Sequence, residues 1–401
     1  MATTAALPVA DLPLHAKTTT ATSASTNGAR INGTKSTNPA FAATEPPHQS
    51  PSTPDSSAYN ALLSSLPRTH TAPLWEQMAA LNPRLPAPKT VPHIWRYADV
   101  RPQLLTAGEV VPEEKAERRV LMFVNPGDGG EGRPPYTTDT LYAGLQLVNP
   151  GEVAPAHRHV AVATRFVIEA PAPSSSSSCP ETAFTAIQGR RIPMARHDLI
   201  VTPRWTWHDH GNRGGSPVVW LDGLDLPSFQ RVPVHFVEHW KENRYPAEEA
   251  SRDECAWVVP WERMKGLLDS AARVGSREKS YVERRYTAPS SNTEISRVLG
   301  AMAARLAPGH RSPLKRETAS AVWHVVHGSG WTEVDGARMR WTAGDTFAVP
   351  AWVEWRHGND AEDNGEAAEA VYLYRFDDVP MLKALGWYRT DADDVEALAD
   401  E

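Results

Sequence analysis

Short runs of apolar residues separated by turn residues dominate the middle of the chain. The run at residues 120–124 ends at Asn125-Pro126-Gly127, and the run at 141–148 ends at Asn149-Pro150-Gly151. Both endings are turn signals. Further strand-forming runs occur at residues 157–169, 184–187, 199–202 and 218–222. A series of short strands with turns between them predicts an all-β core, arranged as a sandwich or jelly-roll barrel.

A different periodicity precedes and follows these strands. Residues 60–66 and 73–81 carry apolar side chains at helical spacing, and Pro73 suits a first helical turn. Short helices are also predicted near residues 101–109 and over 261–272. We therefore expect a helical N-terminal region at 57–118 and a helix-containing linker at 236–290.

Both chain ends and one internal segment have the composition of unstructured chain. Residues 1–56 are rich in Thr, Ser, Ala and Pro and poor in large apolar residues. Such a segment buries too little surface to offset the entropy lost on ordering, so a disordered tail is predicted. Residues 386–401 are assigned to a second tail. The Ser-rich insertion at 171–181 is expected at an exposed hairpin tip.

Composition narrows the class of protein. The 401 residues include 41% hydrophobic residues and carry a net charge of −7, with two cysteines, Cys179 and Cys255. Scattered basic residues give no sign of a nucleic-acid partner, and two cysteines do not make a disulfide framework. No apolar run reaches the roughly 18 residues that a membrane helix needs. A cytoplasmic protein without a membrane partner is expected.

An internal repeat links the two β-rich regions. Gly189 and Pro203 have counterparts at Gly336 and Pro350, both 147 residues later. Gly151 matches Gly309 at a distance of 158 residues, and the Ser-rich insertion accounts for the difference in offset. Several landmarks at one offset predict two copies of one barrel, at residues 119–235 and 291–385.

Histidines mark the first copy as a candidate metal site. In a strand, His157 and His159 project from the same face because side chains alternate with period 2. A third imidazole from another strand would complete three nitrogen ligands and leave the opposite side open to substrate. The alternative is a set of buried, hydrogen-bonded histidines without metal.

The spacing of these landmarks resembles the cupin superfamily. Gly151, His157 and His159 fit its first motif. The second motif fits at His197, Pro203, Trp205, His208 and Asn212, with His197 and Trp205 replacing two glycines. Ala163 and Thr164 occupy the places of the usual glutamate ligand. The resemblance therefore implies a three-histidine site of His157, His159 and His208.

The second copy keeps the frame of the motif and loses its ligands. Lys315, Glu317 and Trp355 stand at the three ligand positions. These side chains cannot replace three imidazoles, so one metal per chain is predicted, with a structural role for the second barrel.

More specifically, the chain resembles the gentisate 1,2-dioxygenase family of bicupins. Segments that carry the resemblance include TLYAGLQLVNPGEVAPAHRH, TPRWTWHDHGN and VVWLDGLDLP. The resemblance implies one Fe(II) per chain, an aromatic hydroxy-acid substrate, dioxygen as co-substrate, and cleavage of gentisate to maleylpyruvate. It also implies a homotetramer and a role in the catabolism of aromatic compounds.

The same resemblance assigns roles around the metal. It implies that His210 contacts substrate and handles protons, and a near-neutral pKa would suit that role. Arg165 shares strand parity with His157 and would bind the substrate carboxylate, unless it forms an internal salt bridge. Arg119 fits a second arginine of the family, with Arg118 as the neighbouring alternative. Asp222 would either accept a hydrogen bond from the far ring hydroxyl or have a structural role in a turn. Tyr142 stands where relatives often carry Trp.

Three hypotheses remain at this stage. The first is gentisate cleavage, and the second is the same chemistry on 1-hydroxy-2-naphthoate or salicylate. The third is a non-catalytic bicupin that binds an aromatic acid. A complete set of His157, His159 and His208 beside a second copy without ligands favours an enzyme.

Overall fold

The structure is a computed structural model that describes residues 56–127, 136–171, 182–253, 255–273, 279–288, 292–359 and 369–391. The predicted N-terminal tail falls almost wholly outside the described residues, as do residues 172–181 of the Ser-rich insertion and 392–401 of the C-terminal tail. The chain divides into two compact units between Gln77 and Met78.

The bounds of the helices are α1 Ser56–Ser65, α2 Leu74–Leu81, α3 Tyr97–Val110, α4 Glu113–Ala116, α5 Trp261–Ala272 and α6 Val379–Ala384, with 3₁₀ helices at Leu66–Thr69 and Leu226–Gln230. Helices α1 to α5 lie in the N-terminal region and the linker, and α6 follows the last strand of the second barrel. Helix α5 has the predicted bounds. Helix α3 begins four residues before the predicted start. Pro102 is its sixth residue and lies inside the helix, where a proline cannot donate the i to i−4 hydrogen bond to the carbonyl of Ala98.

Strands make up the rest of the regular structure. In the first half they are β1 His93–Trp95, β2 Val120–Met122, β3 Tyr142–Val148, β4 Val153–His159, β5 Ala163–Glu169, β6 Ala183–Ile187, β7 Arg190–Pro193, β8 Leu199–Thr202, β9 His208–Asn212 and β10 Val218–Leu224. In the second half they are β11 Val237–His239, β12 Glu248–Glu249, β13 Val258–Val259, β14 Tyr281–Arg285, β15 Gly300–Leu306, β16 Ala321–His327, β17 Ser329–Val334, β18 Ala337–Thr342, β19 Thr346–Val349, β20 Trp355–Gly358 and β21 Val371–Asp377.

Two facing sheets form the first barrel. One runs in the order β13-β8-β5-β10-β3-β2, and the other in the order β11-β4-β9-β6-β7-β12. Apolar side chains from both sheets meet in one buried cluster that includes Val167 and Trp220 from the first sheet and Ala154 and Ile187 from the second. This shared core leaves the polar end of the barrel for the site described below.

The second barrel has a sheet in the order β1-β19-β16-β21-β15-β14 and a smaller one in the order β18-β17-β20. Its interior is filled by aromatic side chains, among them Trp323, Trp341 and Trp355, each at most 2% exposed. Strand β1 lies within the region predicted as helical and pairs with β19. A three-residue strand is too short to show a period-2 pattern in the sequence.

A continuous apolar core joins the barrels. Strands β3, β5 and β10 turn their outer side chains toward β15, β16 and β21, and all contribute to one buried cluster. At its centre Phe166 stacks on Tyr374 with ring centroids 4.2 Å apart. The prediction of an all-β core with two barrels and a helical N-terminal extension is confirmed.

One predicted strand is interrupted. Residues 157–169 were expected to form a single strand, but β4 ends at His159 and β5 begins at Ala163. The two strands belong to different sheets of the barrel. The break is a corner: the amide of Val162 donates to Asp225, and Nδ1 of His159 bonds the carbonyl of Ala161.

Candidate metal centre

Three histidines converge at one end of the first barrel. His157 and His159 lie on β4, and His208 begins the neighbouring strand β9, directly opposite His157 in the register. One nitrogen from each ring lies within 4.8 Å of the others, a separation that a single ion can bridge. Within the described segments, this is the cluster of three potential ligands that the structure brings together.

Backbone hydrogen bonds fix the orientation of two rings. Nδ1 of His159 lies 2.9 Å from the carbonyl of Ala161, and Nδ1 of His208 lies 2.9 Å from the carbonyl of Thr206. A carbonyl only accepts, so each Nδ1 carries the proton and each Nε2 keeps its lone pair. Nε2 of His208 is buried without a hydrogen-bond partner in the described part of the chain. An oriented lone pair without a partner suits a metal ligand.

The surroundings keep these histidines neutral. Burial, together with Arg165, lowers the pKa of His159 to about 4. Burial also places the pKa of His157 and that of His208 well below the usual value, and nearby arginines act in the same direction. Neutral imidazole is the form that binds a metal, so the protonation state of the three rings suits metal ligands.

Two arginines face this cluster. Nη2 of Arg118 lies 3.3 Å from both ring nitrogens of His157 and donates to the carbonyl of Pro155 at 2.6 Å. Arg165 is 3% exposed and bonds the hydroxyl of Thr202. Although its strand is separate from β4, it still points inward, because it stands opposite Asp222 in the register.

Arg119 does not face the site, which differs from the prediction of a substrate contact. Its guanidinium donates to Glu152 at 2.6 and 3.0 Å and to the carbonyl of Val111 at 2.6 Å. Adjacent residues project to opposite sides of an extended chain, so only one of the two arginines can point inward. That one is Arg118, the neighbouring alternative.

His210 lies beside the triad, 5.9 Å from His208 between ring centroids. Its Nδ1 lies 2.9 Å from the hydroxyl of Thr185, and its Nε2 is buried without a partner among the described residues. Its pKa is not near neutral, as had been expected: burial first, and then Arg165, hold it well below the usual value. His210 is therefore a neutral imidazole with one nitrogen that has no partner in the described part of the chain.

Asp222 and Tyr142 complete the polar wall. Oδ1 of Asp222 lies 3.4 Å from Nε of Arg165 and accepts from the indole N–H of Trp220 at 3.0 Å. Asp222 is 5% exposed, and this burial raises its pKa while Arg165 opposes the rise. Burial and the nearby Asp222 raise the pKa of Tyr142, so its hydroxyl stays protonated and able to donate.

Sequence reasoning missed Gln146. It is 2% exposed, and its Nε2 has no hydrogen-bond partner in the described chain. Gln146 is four residues from Tyr142 on β3, and strand parity puts both on the inner face. The sequence contained that signal, because a polar residue at an inward position of a buried strand is unusual.

The second barrel uses the corresponding positions for ion pairs and packing. Nζ of Lys315 lies 2.7 Å from Glu283, and Glu317 pairs with Arg375 at 2.8 Å. Trp355 is 2% exposed in the barrel core. The count of one metal per chain stays a prediction.

Comparisons with known proteins agree with this geometry. Residues 302–371, in the second barrel, match the model of the cupin domain. The chain is 32% identical to the 5-aminosalicylate 1,2-dioxygenase of Comamonas sp over 83% of its own length and 90% of that protein. It is also 32% identical to the gentisate 1,2-dioxygenase of Ralstonia sp, over 80% of this chain and 91% of the relative. This chain belongs to the gentisate 1,2-dioxygenase family.

A solved structure of the same family shares the fold. The salicylate 1,2-dioxygenase of Pseudoaminobacter salicylatoxidans, crystallised as an adduct with gentisate, superposes with a TM-score of 0.74 at 29% identity. The match covers 86% of this chain and 96% of that one. The prediction of a bicupin dioxygenase of this family is thereby confirmed.

Proposed function

We propose that this protein is an Fe(II)-dependent gentisate 1,2-dioxygenase, which opens the ring of gentisate with dioxygen to give maleylpyruvate. The observation that carries the proposal is a triad of neutral histidines facing two inward arginines, Arg118 and Arg165, in a dioxygenase fold. Iron, when bound, would supply a centre at which substrate and dioxygen meet and exchange electrons.

The charge of the site selects the substrate class. His157, His159 and His208 are neutral, so they leave the charge of a divalent ion uncompensated. Arg118 and Arg165 add two further positive charges, and Asp222 offsets one of them. Buried positive charge of this size requires an anionic partner. A carboxylate with an ortho hydroxyl, as in gentisate, supplies one charge directly and a second when the hydroxyl ionises.

Each inward residue has a role that its geometry supports. We assign the substrate carboxylate to the guanidinium groups of Arg118 and Arg165, because planar guanidinium groups match carboxylates. Nε2 of His210 has no partner among the described residues and would form a hydrogen bond with the ring hydroxyl. Asp222 uses Oδ1 for Trp220 and Arg165, which leaves Oδ2 to accept from the 5-hydroxyl of gentisate.

The wall of the cavity positions the ring. Tyr142 keeps a protonated hydroxyl, and Gln146 offers an amide donor that has no partner within the described residues. Both donors lie on the face of β3 that looks into the barrel. They would orient an anionic substrate inside the barrel.

Oxygen consumption on defined substrates tests the function. Protein loaded with Fe(II) under argon receives gentisate and then air, while oxygen uptake and the absorbance of a ring-opened product are followed together. We expect both signals with gentisate. Turnover of salicylate or 1-hydroxy-2-naphthoate without turnover of gentisate would move the assignment to that substrate. Bound metal with no turnover on any of the three would contradict the dioxygenase assignment.

Metal content provides a matched pair of variants. His157→Ala removes a ligand of the triad and should abolish binding of Fe(II), whereas Lys315→Ala alters the corresponding position of the second barrel and should leave the metal content unchanged. Elemental analysis of both proteins, with circular dichroism as a check of folding, makes the comparison. Loss of metal from the Lys315 variant would contradict a single site in the first barrel.

We also propose that the protein assembles as a homo-oligomer, with four copies as the expected number. The proposal rests on the family resemblance. Sedimentation equilibrium of the full chain measures the mass directly, and a monomer at micromolar concentration would contradict it.

A further inference from the structure

Three arginines surround one buried phenyl ring on the outer side of the first barrel. Their guanidinium carbons lie 5.1, 5.2 and 4.6 Å from the ring centroid of Phe184, for Arg191, Arg213 and Arg244 respectively. Phe184 stands opposite Gly211 in the β6–β9 register. Because side chains alternate, this face of β9 is the one opposite His208 and His210.

The positive charge of this cluster exceeds its negative charge. Glu249 accepts from Arg191 at 2.7 Å and from Arg213 at 3.1 Å. Nε of Arg244 lies 3.8 Å from Oδ1 of Asp209, beyond hydrogen-bond distance. Two carboxylates therefore face three guanidinium groups.

Arg244 has donors that nothing in the described chain accepts. Its Nε and Nη2 are buried and have no hydrogen-bond partner there. Burial lowers the pKa of Arg244, and the like charges of Arg191 and Arg213 act in the same direction, while Asp209 opposes them. A buried guanidinium with unused N–H groups is costly unless an acceptor occupies the space beside it.

We propose that the arginine cluster of Arg191, Arg213 and Arg244 is a binding site for a tetrahedral oxyanion of the phosphate class. The planar guanidinium fork matches phosphate oxygens in pairs, and Phe184 holds the three groups in a fixed arrangement. A groove of about 270 Å³ lies beside the cluster, lined by Phe184 and Glu249 among others, and Arg213 is the one arginine of the three in its lining. A phosphate ion is small enough to enter it.

The site is separate from the substrate cavity. Asp209 and Gly211 face the cluster, while His208 and His210 of the same strand face inward. One strand thus carries the metal centre on one side and the anion site on the other. Bound phosphate would brace β9 from outside against the segment that carries Arg244 and Glu249.

Calorimetric titration with inorganic phosphate tests the proposal. The titration uses iron-loaded protein saturated with gentisate under argon, so that the substrate cavity is occupied, and sodium chloride keeps the ionic strength constant. We expect one saturable site per chain. Arg244→Gln and Arg213→Gln should each weaken binding by about tenfold or more, since each removes a charge-assisted contact. Arg338→Gln, which alters an arginine beside Glu333 in the second barrel, is the control and should change nothing.

A variant that is expected to bind phosphate more tightly distinguishes loss of the site from loss of folding. Glu249→Gln removes a competing carboxylate and frees donors of Arg191 and Arg213, so phosphate should bind more tightly. Three results would overturn the proposal: heat that does not saturate, binding that gentisate abolishes, or equal affinity in wild type and the Arg244 and Glu249 variants. A parallel titration with acetate distinguishes the phosphate class from carboxylates, and tighter binding of acetate would contradict the assignment.

Discussion

At the scale of single residues, two neighbouring arginines have opposite roles. Arg118 lies against His157, and Arg119 is locked to Glu152 on the other side of the chain. The sequence could place an arginine at the start of the first barrel strand, but it could not say which of the two faces inward. Strand β2 begins only at Val120, so no period-2 pattern covers either residue. Glu152, 33 residues later in the sequence, decides the orientation of the two arginines, because it forms an ion pair with Arg119.

Substitution of each arginine separates substrate binding from stability. Arg118→Gln should raise the KM for gentisate by about tenfold or more with little change in the melting temperature, because it removes a guanidinium that we propose binds the substrate carboxylate. Arg119→Gln should leave KM unchanged and lower stability by about 2 kcal/mol, because the partly buried Glu152 loses its charged partner and keeps only the donors of Asn149. Steady-state kinetics and thermal denaturation of both variants measure this. A raised KM in the Arg119 variant alone would reverse the assignment of the two residues.

At the scale of elements, Arg158 ties strand β4 to two neighbouring segments. Arg158, between the two histidines, projects outward and stacks on Trp205 and Trp207, each ring centroid 4.5 Å from its guanidinium carbon. It also donates to Glu238 of β11 at 2.6 and 2.9 Å. One side chain thus ties the strand of His157 and His159 to the turn that leads into His208.

Loss of this contact should loosen the metal centre. Arg158→Lys keeps the charge but lacks the planar group that lies between two indoles, so we expect affinity for a divalent ion to fall by about tenfold. Competition with a chromophoric chelator measures the dissociation constant, and the d–d absorption of Co(II)-loaded protein reports the ligand geometry.

A matched control for Arg158 exists in the second barrel. Arg338 lies 4.0 Å from the ring centroid of Trp331 and pairs with Glu333, far from the triad in the fold. Arg338→Lys should therefore leave both the affinity and the Co(II) spectrum unchanged. Equal affinity for Co(II) in wild type and the Arg158 variant would show that the stacked arginine does not position the ligands.

The sequence predicted the presence of helices and strands better than it predicted the corners between them. Period and turn residues placed α5 and most strands, but the corner at Val160–Val162 was invisible, because apolar residues continue through it. The repeat carries more information. His197 and Trp205 replace motif glycines and still have positive φ, +70° and +59°, like Gly344 and Trp352 in the second copy at +95° and +61°. The fold imposes left-handed backbone even where the sequence no longer favours it.

At the scale of the whole molecule, the repeat predicted two barrels but not the joint between them. The core between the barrels is formed by residues on their outer faces, such as Phe166 and Tyr374. These residues lie on strands that are buried on both faces, and the sequence of such a strand does not show which face contacts another barrel. A polar contact adjoins this core. The hydroxyl groups of Thr138 and Ser320 lie 2.8 Å apart, and Asp378 of the second barrel accepts from the amide of Ser320 at 2.9 Å and from Thr140 of the first.

Asp378 gives this joint a pH dependence. Burial raises its pKa to about 7, and the adjacent Asp377 acts in the same direction, against a value of about 3.9 in an unfolded chain. The folded state then binds more protons than the unfolded state between these values. The stabilisation from this group is therefore complete below about pH 4 and is lost as the pH rises to about 7.

Asp378→Asn should remove this dependence. The amide cannot ionise, so the stability of the variant relative to wild type should be greater at pH 8 than at pH 5, as measured by urea denaturation at both pH values. Asp377→Asn is the control: Arg375 and Arg285 hold the pKa of Asp377 below its usual value, so its carboxylate is charged throughout this interval. Its effect on stability should be large at both pH values. The difference between them should be smaller than for the Asp378 variant, since loss of the Asp377 charge only lowers the pKa of Asp378. A pH-independent difference for the Asp378 variant would mean that the carboxylate at the joint is already ionised at pH 5.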